Sequence, residues 1–202
     1  MKKRKAAIDV SRLPEFAFGE RGLMWWGVVG FLSIEATMLI ICFVSYFYLR
    51  DRVTDWPPPP VELPDLLIPT VNLAVMLSSI VTVHLVERAA KRLDRRKALI
   101  WMLVSDAIGI SFLVLRGFEF TALNVSWDTN AYGSIVWTII GIHTFHLISE
   151  VIESIVITLI IARGHTEPKY FVDLTDNALY WYFIVAIWIP CYVIIFLAPR
   201  FL

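Results

Sequence analysis

Sulfur chemistry has little to work with in this chain of 202 residues: the only two cysteines, Cys42 and Cys191, lie inside apolar stretches and lack C-x-x-C spacing. That argues against a disulfide framework and against a zinc or dithiol site. Charge is also sparse, at 18% of residues, and 18 basic residues balance 18 acidic ones. With no excess of either sign there is no field to gather nucleic acid or an acidic substrate, and no nucleic-acid partner is expected. Phosphate-binding G-x-x-x-x-G-K, metalloprotease H-E-x-x-H and nucleophile-elbow patterns are missing, as are internal repeats and low-complexity tails. What the chain has in excess is apolar surface, 58% hydrophobic residues with a mean hydropathy of +0.68. Water is not its only solvent.

A hydrocarbon core about 30 Å thick takes roughly 20 apolar residues of helix to cross. Five stretches qualify, at about 22–49, 66–85, 98–115, 133–162 and 177–197, the third being the shortest. The reading is an all-α polytopic membrane protein, one five-helix bundle occupying 1–202 as a single domain. Pro190 should kink the last span, because proline removes a backbone donor and crowds the preceding turn. Trp25, Trp26, Tyr46, Tyr48, Tyr132, Tyr180 and Trp181 fall near span ends, where amphipathic rings favour the headgroup zone. The opening MKKRK resembles the start of a signal peptide, but the apolar run after it is far longer than a signal core, so it reads as a retained anchor.

Basic residues set the direction, since positively charged loops stay cytoplasmic. Lys2, Lys3, Arg4, Lys5, Arg12 and Arg21, then Arg88, Lys91, Arg92, Arg95, Arg96 and Lys97, then Arg163 and Lys169 fall on one side, against Arg50, Arg52, Arg116 and Arg200 opposite. The N-terminus is expected inside and the C-terminus outside. Outside, too, falls the longest loop, WPPPPVELP from Trp56 to Pro64, whose prolines predict an extended polyproline-like strut.

Ionisable side chains within spans are costly, about 2.5 to 3.5 kcal/mol at mid-helix, and must face protein, water or a partner. Glu35 sits at mid-span, where desolvation favours the neutral acid. It reads either as a proton-exchanging carboxyl or as a hydrogen-bonded lock between helices. His143, His146, Glu150 and Glu153 share roughly a quarter of the circumference of the fourth span, a face that should not look at lipid. Such a stripe invites comparison with carboxylate-bridged di-iron sites or a bis-histidine haem. No second helix carries a matching Glu-x-x-His pair, however, and the other span histidine, His84, lies at the cytoplasmic end of span two. An interhelical polar network is the simpler reading. Asp106 in span three and Glu119 beyond it complete the acidic set. Glu119 and Arg116, three residues apart, read as a local ion pair at a helix end. Ser78, Ser79 and Thr82 read as small residues that let helices approach.

Read in order, these segments resemble subunit III of the haem-copper respiratory oxidases. YGSIVWTIIGIHTFH, Tyr132 to His146, is similar to the family's Tyr-Gly-Ser start followed by Gly-x-His-Gly-x-His: Tyr132, Gly133, Ser134, Gly141, His143 and His146 match, and Thr144 replaces a glycine. GISFLVLRGFEF, Gly109 to Phe120, is similar to a segment ending Gln-x-x-Glu-Tyr, with Glu119 matching, Arg116 in place of glutamine and Phe120 in place of tyrosine. Glu35 falls where the family has its membrane-embedded acid, and MLSSIVTVH, Met76 to His84, is close to a bacterial segment of the family. The last span departs, with Tyr182 and Val185 where the family has histidine and aspartate. Glu150 stands where the family usually has glycine.

The resemblance covers about Trp25 to the C-terminus and implies the five-span bacterial form, in the cytoplasmic membrane. It implies a subunit without cofactors of its own: haem and copper belong to subunits I and II. Subunit III packs directly on subunit I, binds phospholipid and supports proton uptake and durable turnover. Three other readings are a related accessory protein of nitric oxide reductases, an independent proton-coupled carrier using Glu35, Asp106 and the histidine-acid stripe, and a membrane di-metal or haem enzyme.

Overall fold

In the computed structural model, which describes residues 16–165 and 167–201, the chain is a bundle of five long helices. They are α1 (Leu23–Arg50), α2 (Leu67–Lys91), α3 (Arg95–Thr121), α4 (Ala131–Ala162) and α5 (Pro168–Tyr192). All five are long and apolar enough to cross a membrane. The tail residues Lys2, Lys3, Arg4, Lys5 and Arg12 of the charge count lie outside the described residues.

Local chemistry sets several helix ends. Asp94 caps α3 by accepting the Lys97 backbone N–H at 3.1 Å, and that bond holds its carboxyl below the usual aspartate range. Asn130 caps α4 through the Gly133 N–H at 2.8 Å. Gly164, at φ +97°, releases the chain from α4, and Pro168 opens α5 at its first turn.

Three spans run further than their apolar cores. Span two continues to Lys91, span three from Arg95 to Thr121, and span five starts at Pro168 rather than near 177. Charges had marked those boundaries, but a helix continues through a charged residue whenever a neighbouring helix or water satisfies it. Beyond Pro190, α5 does not break. It runs to Tyr192 and widens into a π-helical turn at Val193–Leu197 before a short 3-10 turn.

Helix α5 is the centre of the packing, with 56% of its most apolar stretch buried against 11% for α1. It touches α1, α2 and α4, while α3 joins α2 to α4. The core includes Leu39, Met76, Phe112, Ile139, Leu147, Ile184 and Trp188. Helix α1 leans on α4 and α5, leaving most of its apolar surface exposed.

Two expectations about aromatics and prolines change. Tyr46, Tyr132, Tyr180 and Trp181 are buried within the bundle rather than turned outward, whereas Trp26 and Tyr48 are exposed as expected. Tyr180 and Trp181 hydrogen-bond across helices, and the rings of Tyr46 and Tyr132 pack edge-on against Trp56 at 5.3 and 5.0 Å. The proline loop is folded rather than extended. It turns where the Val61 N–H reaches the Pro58 carbonyl, and Asn124 and Arg200 bind the Leu63 and Pro64 carbonyls.

The Tyr-Gly-Ser start of α4 gains a physical reason. Tyr132 is fully buried, a Cβ on Gly133 would run into the Ser126 carbonyl, and Ser134 Oγ donates to the Trp127 carbonyl at 2.7 Å. Each of the three residues fits one contact between the helix start and the loop before it.

Candidate functional site

The buried polar groups separate into two clusters. The first lies toward the end of the bundle that carries the proline loop and centres on Arg116, which is fully buried. Arg116 Nη1 lies 2.8 Å from Glu119 Oε2, and its guanidinium carbon lies 3.6 Å from the Trp188 ring centre and 4.8 Å from that of Phe112. Arg116 Nη2 donates to His143 Nδ1 at 3.2 Å, while His143 Nε2 faces the Ile184 carbonyl at 3.1 Å. Those contacts select one tautomer. Nε2 carries the proton and donates to the carbonyl, and Nδ1 accepts from arginine. Asn72 of α2, also buried, stands beside Glu119. The pair read as a local bridge at a helix end is therefore a bridge inside the protein. Arg116 belongs to the core rather than to an outer loop, because ring faces, histidine and glutamate together replace its water.

The second cluster lies at mid-span and centres on Glu35, 5% exposed. Tyr180 Oη donates to Glu35 Oε1 at 2.9 Å, and His146 Nε2 is 3.5 Å from the same oxygen. One turn away, Asn177 Nδ2 donates to Glu150 Oε1 at 2.8 Å. On the α3 side, Ser154 and Thr158 donate to the two oxygens of Asp106 at 2.5 and 2.7 Å. Three members of the α4 stripe, His143, His146 and Glu150, are buried. Glu153, at the edge of the same face, is exposed on this chain.

The expected residues thus divide. Glu35, His146 and Glu150 come together, with Asp106 next to them; His143 and Glu119 join Arg116 instead. His84 is exposed and 3.9 Å from Glu87, so it faces neither cluster. His143 commits both ring nitrogens to protein groups, which leaves neither for a metal or haem. Among the described residues no three histidine, cysteine or acidic side chains are arranged to hold a metal ion.

Several partners were not anticipated. Helix α5 begins at Pro168 rather than near 177, so Asp173 and Asp176 are helical and Tyr180 lies in the middle of the helix. Asn72 and Asn177 were visible as amides in or at the edge of apolar runs, which is the signal that could have singled them out. Ser79 does pack helices closely, and it also accepts the Trp181 indole N–H at 2.7 Å. At the divergent positions of the last span, Tyr182 Oη donates to Glu87 Oε2 at 3.0 Å and Val185 is packed in the core.

Five membrane-crossing helices around buried, mutually bonded polar side chains define a polytopic membrane protein. A family model described as cytochrome c oxidase subunit III matches residues 16–199, and the chain belongs to that family. It is similar to cytochrome c oxidase subunit 3 of Thermostichus vulcanus, 27% identical over 176 residues covering 87% of each chain. The protein of the same name from Synechocystis is 28% identical over 197 residues, 94% of this chain and 83% of that one. The Gallus gallus protein is 27% identical over 179 residues, 86% of this chain and 68% of its own. This chain is thus an accessory subunit of a haem-copper oxidase, a multi-pass member of a multi-subunit complex.

Proposed function

We propose that this chain packs directly on subunit I of a bacterial terminal oxidase in the cytoplasmic membrane, holds phospholipid at its exposed flanks and supports proton uptake into the complex. Haem and copper reside in subunits I and II. The observation that carries this reading is Glu35: an acid at the middle of the first span, with one oxygen bonded to Tyr180 and facing His146, in a bundle whose fully buried His143 has both ring nitrogens engaged by protein groups. The exposed apolar side of α1 supports the rest, since it is a surface for lipid tails or for another subunit's helices. The basic loops at the Arg88–Lys97 end face the cytoplasm in this reading.

Gentle solubilisation and affinity purification of the tagged chain test it. The expected eluate contains a haem-bearing subunit I and a copper-bearing subunit II; nitric oxide reductase subunits, or the chain alone, would contradict it. Glu35→Gln separates the roles of the acid. It keeps the shape and the Tyr180 bond, so assembly is expected to be normal, with turnover falling or inactivation quickening as pH rises. Unchanged pH dependence would leave Glu35 only a structural lock.

A further inference from the structure

Helices α4 and α5 carry polar stripes that run antiparallel and in register. Asp173, Asp176, Asn177 and Tyr180 recur at i, i+3, i+4 and i+7 on α5, and His146, Glu150 and Glu153 at i, i+4 and i+7 on α4, one face in each case. At mid-span Tyr180 and His146 meet Glu35. One turn nearer the basic end Asn177 meets Glu150. At the next turn Asp176 is within electrostatic reach of both Asp173 and Glu153, and Asp173 also acts on Glu153. Glu150 in turn feels Glu153, Glu35 and Asp106. The stripes therefore form rungs from the end of the bundle that bears Lys169 to the middle of the membrane.

The rungs have unused bonding capacity. Asp176 is 5% exposed and neither of its carboxyl oxygens has a hydrogen-bond partner. Glu150 Oε2, Glu35 Oε2 and His146 Nδ1 are likewise buried and unpartnered. Among the described residues no lysine or arginine acts on Asp176, Glu150 or Glu35, and α2, also packed on α5, turns Ser79 to Trp181 and Glu87 to Tyr182. Helix α1 contributes Glu35; α3 contributes Asp106, whose oxygens Ser154 and Thr158 occupy; α4 and α5 contribute the stripes themselves. Among the described residues, exposed Lys169 acts on Asp173 at the outer end of the stripe. Adjacent desolvated carboxyls without counter-ions are stable only when protons or water fill their open positions.

We propose that Asp173, Asp176, Glu153 and Glu150 form a proton file between water at the basic end and Glu35. A proton entering at Asp173 displaces one onward through Asp176, Glu153 and Glu150 to Glu35; each acid releases one proton for each it accepts, so the charge of the file is unchanged by transfer. Glu150 is the rung that joins the two halves. Where the proton goes after Glu35 rests on the function proposed above; the file itself does not.

The test uses the full chain in lipid nanodiscs, without partner subunits, so that a wrong assignment of the partner complex leaves its result untouched. After a switch to heavy water, exchange at the Glu35 carboxyl is followed by its infrared carbonyl stretch, assigned by its loss in Glu35→Gln. Glu150→Gln and Asp176→Asn are each expected to slow that exchange by about a hundredfold, the low end of what a positioned proton carrier contributes. Amide exchange within the spans should stay unchanged, and Glu150→Asp should restore much of the rate. Wild-type exchange rates in both variants would overturn the file. Should a variant fail to fold, the unaltered chain still decides: a Glu35 carboxyl exchanging no faster than the surrounding helix amides also overturns it.

Discussion

The two buried clusters solve the same problem in opposite ways. Around Arg116 a full charge is kept, and glutamate, histidine and two aromatic faces surround it so completely that its side chain is only 1% exposed. Around Glu35 and Glu150 acids are brought together with no lysine or arginine among the described residues, faced by a phenol, an imidazole and an amide and left with open oxygens. A paired charge is rigid, because moving either partner strands the other. Neutral acids tolerate exchange, because a proton can leave one oxygen as another arrives. Burial alone therefore does not define a functional carboxyl in a membrane bundle. What surrounds it does.

The largest effect should come from breaking the first cluster. Arg116→Leu strands Glu119 and removes the group that stacks on Trp188 and donates to His143, an expected loss of about 3–5 kcal/mol. Denaturant titration of the solubilised chain, or failure to assemble, reads it; a loss within error would show that the pair is not needed. Next in size is Asn177→Leu, which leaves both oxygens of Glu150 without a donor and should cost about 1–3 kcal/mol. Glu150→Gln, by contrast, keeps an acceptor for Asn177 and should change stability by less than about 1 kcal/mol. Equal sensitivity of Glu119 and Glu150 to glutamine would erase the contrast between the clusters.

A change remote from both calibrates the scale. Gly133→Ala drives a methyl into the Ser126 carbonyl and should cost about 1–3 kcal/mol, without altering the infrared signature of either cluster. The smallest effect belongs to Asp94, outside the bilayer. Its carboxyl is held below the usual range by the Lys97 backbone N–H, so its capping contribution is present above the unfolded-state value and fades as pH falls through the lowered folded value. Asp94→Asn keeps a cap and should flatten that acid-side dependence in thermal melts.

Helix number and order were legible because apolar length is a one-dimensional signal. Ends were less so. Arg116 and Glu119 looked like the end of a span, and Asp173 and Asp176 like a loop, since a sequence shows a charge but not the group that neutralises it. The partners lie far along the chain: His143 is 27 residues from Arg116, and Tyr180 is 145 from Glu35. The same reason explains the aromatics. Tyr132 and Tyr180 lie near span ends in the sequence, and only packing reveals that their hydroxyls turn inward. The α4 stripe was legible as a face, but its division between two clusters was not. His143 and His146 are three residues apart and bond to different helices, His143 to α3 and α5 and His146 to α1.

The contrast can be tested directly by infrared difference spectra of the purified protein at neutral pH, with Glu119→Gln and Glu150→Gln each subtracted from the unaltered chain. Loss of Glu119 should remove the band of an ionised carboxylate, and loss of Glu150 the carbonyl band of a protonated acid. A carboxylate band lost in both spectra would contradict the account, because Glu150 would then be a buried charge that nothing in its surroundings neutralises.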